Sequence, residues 1–341
     1  MEMDDSAAHP LYDGLNFAPA SGVSMILPAY DEEQGIGPVL DQLHTVMAHT
    51  GRPYEIVVVD DGSRDGTAEA VLHHIAANPT HPVIALRHHA NRGYGAAIKT
   101  GIRHARYDIL CITDADGTYP NERIPDLLAR LEEGRADMVV GARTGDHVRI
   151  PPLRRPAKWA IGQLANLVAG GKIPDLNSGL RIFRRTAAME FFDILPDGFS
   201  FTTTITLGML TNGYLVEYAP IDYHARVGKS KIRPIQDTLN FVQLILRIAL
   251  YFAPLKLFLP LSMLLVVLGL VWGIFSITIL DELADVSTLI IEMAAVQIAV
   301  IGLLAELINR RFPSQARLAR SRLERPEHAP ALQSNDHDKE L

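Results

Sequence analysis

The run LKLFLPLSMLLVVLGLVWGIFSITIL, residues 255–280, carries a single charge, Lys256, near its start. A helix needs roughly 20 apolar residues to cross the hydrocarbon of a bilayer, so this stretch must be buried on every side or lie in lipid. After the acidic link DELADV comes STLIIEMAAVQIAVIGLLAELI, residues 287–308, interrupted by Glu292 and Glu306. Two such runs so close together predict a two-helix transmembrane hairpin over 255–309; a helical hairpin inside a soluble core is the alternative. The following segment, NRRFPSQARLARSRLER, carries six arginines, whereas the link between the runs carries only acids. Basic flanks stay in the cytoplasm. An integral membrane protein is therefore expected, with its N-terminal body and its tail (310–341, basic and then polar) both on the cytoplasmic side. The acidic start MEMDDSAAHP has no apolar core, so 1–20 is expected to be a polar extension and not a cleavable signal peptide.

Just upstream, IRPIQDTLNFVQLILRIALYF (232–252) places Ile235, Leu239, Val242 and Leu246 on one helical face and Gln236, Asn240, Gln243 and Arg247 on the other. An amphipathic helix over 231–254, lying in the membrane surface or packed on the soluble domain, has this pattern.

Between 21 and 230 the pattern changes to short branched runs alternating with helical stretches. VSMILP, YEIVVVD, VIALRH, YDILCITD and DMVVGA read as strands; EEQGIGPVLDQLHTVMA, GTAEAVLHHIA, GAAIKTGIRHA and NERIPDLLARLEEG read as helices. Near-continuous apolar strands separated by helices predict an α/β fold around a mostly parallel sheet with both faces covered. The formal charge of −7 argues against an electrostatic nucleic-acid partner. One cysteine, Cys111, in an apolar run excludes a disulfide framework and reads as strand packing.

In such sheets ligands bind beyond the carboxyl ends of the strands, and acids collect there: Asp60 and Asp61 end one strand, Asp114 and Asp116 another. The first strand runs into PAYDEE and not into a glycine-rich turn, and no P-loop lysine motif is present. Carboxylates beside a nucleotide accept hydrogen bonds from base or ribose, or share a divalent metal with the phosphates. Asp60 and Asp61 suit the first use. Asp114 and Asp116, at alternate positions, suit the second, with Mg2+ or Mn2+ as the hard cation that takes oxygen ligands and keeps phosphate ligands. Taken alone, such a pair is as readily a turn.

Seven segments occur in order between about 23 and 232: ILPAYDEE, VVVDDGSRDGT, NRGYGAAIKTG, TDADGTYP, VVGAR, DLNSGLRIFRR and RVGKSKI. Together with the apolar hairpin they resemble the family 2 glycosyltransferases of GT-A nucleotide-sugar fold, in particular the polyprenyl-phosphate sugar synthases typified by dolichyl-phosphate mannose synthase. The resemblance implies that Pro28, Tyr30 and Glu32 flank base and ribose, that Asp61 reaches the base with Asp60 nearby, and that Asp114 and Asp116 bind metal. It also implies that Arg143, at the end of VVGAR, contacts phosphate, as a guanidinium fork is shaped to do. Lys99 is expected to neutralise phosphate or to lie along the surface. Asp175, Ser178 and Arg181 are expected to shape the acceptor side, and Arg226, Lys229 and Lys231 to close over donor and lipid phosphates. Some synthases carry a metal-holding glutamine two residues after the second aspartate; here Thr118 stands there, and its hydroxyl or a water is expected to substitute.

An absence bears on the acceptor. Transferases of this fold that attack with a sugar hydroxyl usually carry an aspartate base, often in an ED pair, and processive ones add QxxRW. The corresponding GFSFTTTITLGML has neither. A hydroxyl near neutral pH needs its proton removed; a phosphate monoester, with a second pKa of about 6, arrives as an anion. The expectation is inverting transfer of a hexose from a GDP- or UDP-linked donor to polyprenyl phosphate at the cytoplasmic membrane face, with homo-oligomers through the helices allowed. Transfer to a glycerolipid or glycan hydroxyl, or a noncatalytic membrane scaffold, are the alternatives.

Overall fold

The computed structural model describes residues 22–134, 136–144, 155–223, 243, 245–251, 253–279 and 285–310. Seven strands, β1 (Val23–Ala29), β2 (Tyr54–Asp60), β3 (Val83–Arg87), β4 (Ile109–Ile112), β5 (Met138–Ala142), β6 (Arg181–Arg184) and β7 (Val216–Pro220), form one sheet in the order β3-β2-β1-β4-β6-β5-β7. The pairs β1–β2, β1–β4, β2–β3 and β5–β7 are parallel; β6 runs antiparallel to both β4 and β5. The expected α/β sheet with mostly parallel strands is what the structure shows.

Alternation along β1 explains the layers. Val23, Met25 and Leu27 face one core with Leu40, Leu43, Leu127 and Leu131, from helices α1 (Ile36–Thr50) and α4 (Ile124–Glu133). Ile26 faces the other core, with Ile98 and Ile102 of α3 (Tyr94–His104) and Phe201 and Ile205 of α7 (Phe201–Thr211). A strand buried on both sides has no polar face to show, hence its continuous apolar run. Proline inside a central strand is ordinarily excluded because it lacks a donor. Pro28 is tolerated because β1 pairs with β4 only as far as Ile26, so its missing N–H faces the side where pairing has already stopped. The remaining helices are α2 (Thr67–Ala77), α5 (Arg155–Ala169) and the short α6 (Arg185–Met189).

The last two elements among the described residues are long helices, α8 (Pro254–Ile279) and α9 (Asp285–Arg310). At 26 residues each they are about 39 Å long, enough to cross a membrane with some tilt. Only 17% of the apolar stretch of α8 and 11% of that of α9 is buried, so a hairpin enclosed in a soluble core is not what forms. Their seam uses small residues: a side chain at Gly269 would meet Glu292, and Ser262 Oγ donates to the Ala295 carbonyl at 2.8 Å. Such close approach is how helices associate where lipid removes the hydrophobic drive. Lys256 donates from Nζ to the Val168 carbonyl on α5 at 2.8 Å, tying the start of the hairpin to the soluble domain.

Most of the predicted amphipathic helix lies outside the described residues. Its described part is helical over 245–251, with Gln243 and Arg247 exposed as expected. Ile245, Ile248 and Ala249 pack on Ala165, Val168 and Leu207, so this end rests on α5 and α7.

Cys111 is fully buried in β4, and burial pushes its thiol up to about 12. The native protein is therefore expected to resist a thiol reagent at pH 8 and to release one reactive thiol per chain in denaturant. Fast labelling of native protein would mean that β4 is not in the centre of a closed sheet.

Candidate active site

The loops that follow β1, β2, β3 and β4 meet at one end of the sheet, and most of their polar side chains are used to fasten one loop to the next. After β1, Asp31 takes a left-handed backbone (φ 54°), unusual for a residue other than glycine. Its N–H donates to Ser63 Oγ at 3.0 Å and its Oδ1 accepts from Arg64 N at 2.8 Å. Glu32 N donates to Thr67 Oγ1 at 2.9 Å, and the Glu32 carbonyl accepts from Ile36 N at 3.0 Å as α1 begins. PAYDEE and DDGSRDGT are thus stitched together.

Asp60 and Asp61 have structural duties at the end of β2. Asp60 Oδ1 accepts from Ser63 N at 2.9 Å, and its Oδ2 lies 3.0 Å from Arg87 Nε. Asp61, 3% exposed, accepts from Arg92 N (2.9 Å) and Gly93 N (2.7 Å), and its Oδ1 lies 2.6 Å from His88 Nδ1. Because a carboxylate only accepts, Nδ1 of His88 carries a proton, and Nε2 lies 2.9 Å from Thr100 Oγ1. The loop between β3 and α3 is therefore built around Asp61.

Asp114 and Asp116 follow β4. Tyr94 donates to Asp114 Oδ1 at 3.0 Å, and burial first, then Asp114, pushes the Tyr94 phenol well up, keeping it a donor. Thr118 donates to Asp116 Oδ1 from both its N–H (3.1 Å) and its hydroxyl (2.7 Å). The hydroxyl is thus directed at the carboxylate, orienting Asp116. Two carboxylates, each oriented by a neighbour and with no sulfur or imidazole beside them in these contacts, form a donor set that fits Mg2+ or Mn2+.

DLNSGLR backs this loop. Gly179 N donates to Tyr119 Oη at 2.6 Å, and a Cβ at Gly179 would stand 2.9 Å from Asp114 Oδ1 and 3.0 Å from the Tyr119 ring. Arg143 grips Asp175 through a two-pronged pair, Nε–Oδ2 at 2.7 Å and Nη2–Oδ1 at 3.0 Å, with its guanidinium 5.4 Å from the Tyr223 ring centre. Burial alone would push the Asp175 carboxyl up; the Arg143 fork and the N–H groups of Arg143 and Asn177 outweigh it and hold it below the usual range.

Other sequence-predicted residues lie elsewhere. Arg181 is fully buried in β6, donating to the Ser178 carbonyl at 3.1 Å and to the Thr202 carbonyl and Thr206 hydroxyl at 3.0 Å. Ser178 is fully buried too, so these two lie beneath the cleft surface and Asp175 is paired with Arg143. Lys99 donates to the Leu195 carbonyl at 3.0 Å and pairs with Asp197, pinning the segment that precedes α7. Pro28 is buried and Tyr30 half-buried at the mouth. Arg226, Lys229 and Lys231 lie outside the described residues. Sequence reasoning passed over Tyr94, His88 and the orienting role of Thr118; Tyr94 sits inside the quoted NRGYG, but nothing local ties it to Asp114.

Gly179→Ala is expected to displace Asp114 or Tyr119, at an overpacking cost of about 1–3 kcal/mol, and to lower kcat more than it lowers folding stability. Turnover measured beside a denaturation midpoint checks this. Unchanged turnover would mean that Asp114 need not hold this position.

A model of the Glycosyl transferase family 2 matches residues 24–192, and a GtrB C-terminal hairpin model matches residues 253–310. The undecaprenyl-phosphate 4-deoxy-4-formamido-L-arabinose transferase of Shewanella sediminis is 28% identical over 85% of this chain and 88% of its own. The dolichyl-phosphate hexose transferase of Haloferax volcanii is 31% identical, covering 62% of this chain and 87% of its own. Glucosyl-3-phosphoglycerate synthase from Mycobacterium tuberculosis, solved with Mn2+, uridine diphosphate and phosphoglyceric acid, shares the fold with a TM-score of 0.52 at 19% identity over 67% of this chain and 78% of that one. These likenesses extend to the family and to transferases of several sugars, not to dolichyl-phosphate mannose synthase in particular. The chain belongs to glycosyl transferase family 2, a GT-A-like α/β enzyme carrying a C-terminal apolar helical hairpin.

Proposed function

We propose that this enzyme transfers a hexose from a GDP- or UDP-linked donor to polyprenyl phosphate, with inversion at the anomeric carbon. The observation that carries the reading is the pairing of two features. Helix α7, FTTTITLGMLT, offers threonines where a hydroxyl-using relative would place a carboxylate base, and the domain is tied through Lys256 to an apolar hairpin. A lipid phosphate needs no base and lives where the hairpin would hold the cleft. The two relatives named for undecaprenyl-phosphate and dolichyl-phosphate transfer support the same acceptor class.

In this reading an oxygen of the lipid phosphate attacks C1 of the sugar, and the bond from C1 to the diphosphate oxygen breaks on the opposite face. The nucleoside diphosphate leaves with the electron pair, and no proton moves in the step. When bound, Mg2+ or Mn2+ held by Asp114 and Asp116 supplies positive charge to the leaving diphosphate. Thr118 and Tyr94 hold those carboxylates in place, Pro28, Tyr30 and Glu32 flank base and ribose, and Asp60 and Asp61 fix the loops around them. Arg143, whose Nε and Nη2 are engaged by Asp175, offers its remaining N–H groups to phosphate oxygens. Arg226, Lys229 and Lys231, outside the described residues, are assigned by the sequence to the donor and lipid phosphates. Catalysis is then positioning and charge stabilisation on the cytoplasmic face.

The test is a panel of labelled UDP- and GDP-sugars, with Mg2+ or Mn2+, offered to a short polyprenyl phosphate, diacylglycerol or an oligosaccharide in detergent. A lipid-phosphate sugar identified by mass is expected from one donor, with the rate falling on the order of 10²-fold or more in Asp116→Ala. Transfer only to diacylglycerol or the oligosaccharide would replace the acceptor, and no turnover with any pair would favour a scaffold.

A further inference from the structure

A second group of ligating side chains lies at the other end of the sheet. Asp41 and His44 sit on α1, His74 near the end of α2, and His81 in the connection that enters β3. Tyr54, beside them, is the first residue of β2, whereas Asp60, near the active site, is the last. The strand has 7 residues, so the two ends are about 20 Å apart. The cluster therefore cannot share an ion with Asp114 and Asp116.

The geometry is that of a ligand set. His74 Nε2 and His81 Nδ1 face each other at 3.4 Å. Two ligands of a tetrahedral Zn2+, each at 2.0–2.1 Å, stand about 3.3 Å apart. One ligating atom from each of Asp41, His74 and His81 lies within 4.8 Å of the others. His74 Nδ1 lies 3.7 Å from Asp41 Oδ1, so the carboxylate stands beside the ring whose other nitrogen faces His81. The His44 ring stacks on His81 with centroids 3.4 Å apart, and its Nδ1 contacts the Tyr54 hydroxyl, which fixes the pair.

We propose that Asp41, His74 and His81 form a second divalent-cation site, selective for an imidazole-seeking ion such as Zn2+ or Co2+ over Mg2+, that clips α1 to the segment entering the edge strand β3. Imidazole donors favour such ions over Mg2+ and Mn2+, which the oxygen-only Asp114–Asp116 pair suits. The active site and this cluster thus sort cations by ligand chemistry.

The test uses the full-length, tag-free protein in detergent, stripped with chelator and titrated with Co2+ (read by visible absorption) and with Zn2+ (read by calorimetry and thermal melting). One equivalent is expected to bind with the absorption of histidine-ligated cobalt. Asp116→Ala is expected to leave this signal unchanged. His81→Ala, at a half-buried position, and His74→Gln are each expected to weaken binding at least about tenfold and to abolish the rise in melting temperature with Zn2+. The exposed His49→Ala serves as control, and circular dichroism confirms that each variant is folded. If no stoichiometric ion binds, or if binding is the same in folded His81→Ala and His74→Gln, the cluster is a stack of histidines and the proposal falls.

Discussion

Asp61 is the residue on which the arrangement of the active-site end depends. Its buried carboxylate gathers the N–H groups of Arg92 and Gly93 and the ring of His88, fastening the loop after β3 to the end of β2. Hydrogen bonds to a charged group are worth more than neutral ones, and leaving such a carboxylate buried without them costs more still. The same logic repeats in smaller form at Asp31, Asp60, Asp116 and Asp175, each of which accepts from backbone N–H groups of its own or a neighbouring loop. These bonds fix the loops to one another without any ligand. In the proposed reaction, which moves no proton, placement and charge are most of what the protein contributes.

The hairpin imposes the second constraint. Leu264, Val271, Ile274, Ile290 and Ile308 are all more than half exposed, and water would not tolerate that surface. Through Lys256 and the packing of Ile245, Ile248 and Ala249 on α5 and α7, the apolar helices are joined to the domain close to α7. Thr203 on α7 in turn donates to Asn177 Oδ1 in DLNSGLR at 2.6 Å, so the segment behind the Asp114 loop and the apolar helices are linked through α7.

Five of the seven strands among the described residues were legible in the sequence: β1, β2, β4 and β5 because burial leaves an unbroken apolar run, and β3, which is partly exposed, from its branched residues. The other two were not. β6 is four residues long with arginine at each end, and Arg181, expected on the acceptor side, instead meets the Ser178 and Thr202 carbonyls and the Thr206 hydroxyl in the core. β7 carries Glu217 and is only partly buried. At the candidate site the acids at strand ends were visible, but not what holds them. Lys99 read equally as a phosphate ligand or a surface residue, and its engagement with Leu195 and Asp197 lies almost a hundred positions along the chain. Gly179 against Asp114 is likewise a contact between distant segments that no local pattern encodes.

The central claim is that a divalent ion and a nucleoside diphosphate meet at the carboxyl end of β4. A crystal structure of the protein with Mn2+ and uridine or guanosine diphosphate, with data collected at the manganese edge, addresses it directly. The account predicts an anomalous peak within ligand distance of Asp116, with Asp114 beside it and the diphosphate completing the sphere. Manganese and diphosphate bound together at any other place on the domain would contradict it.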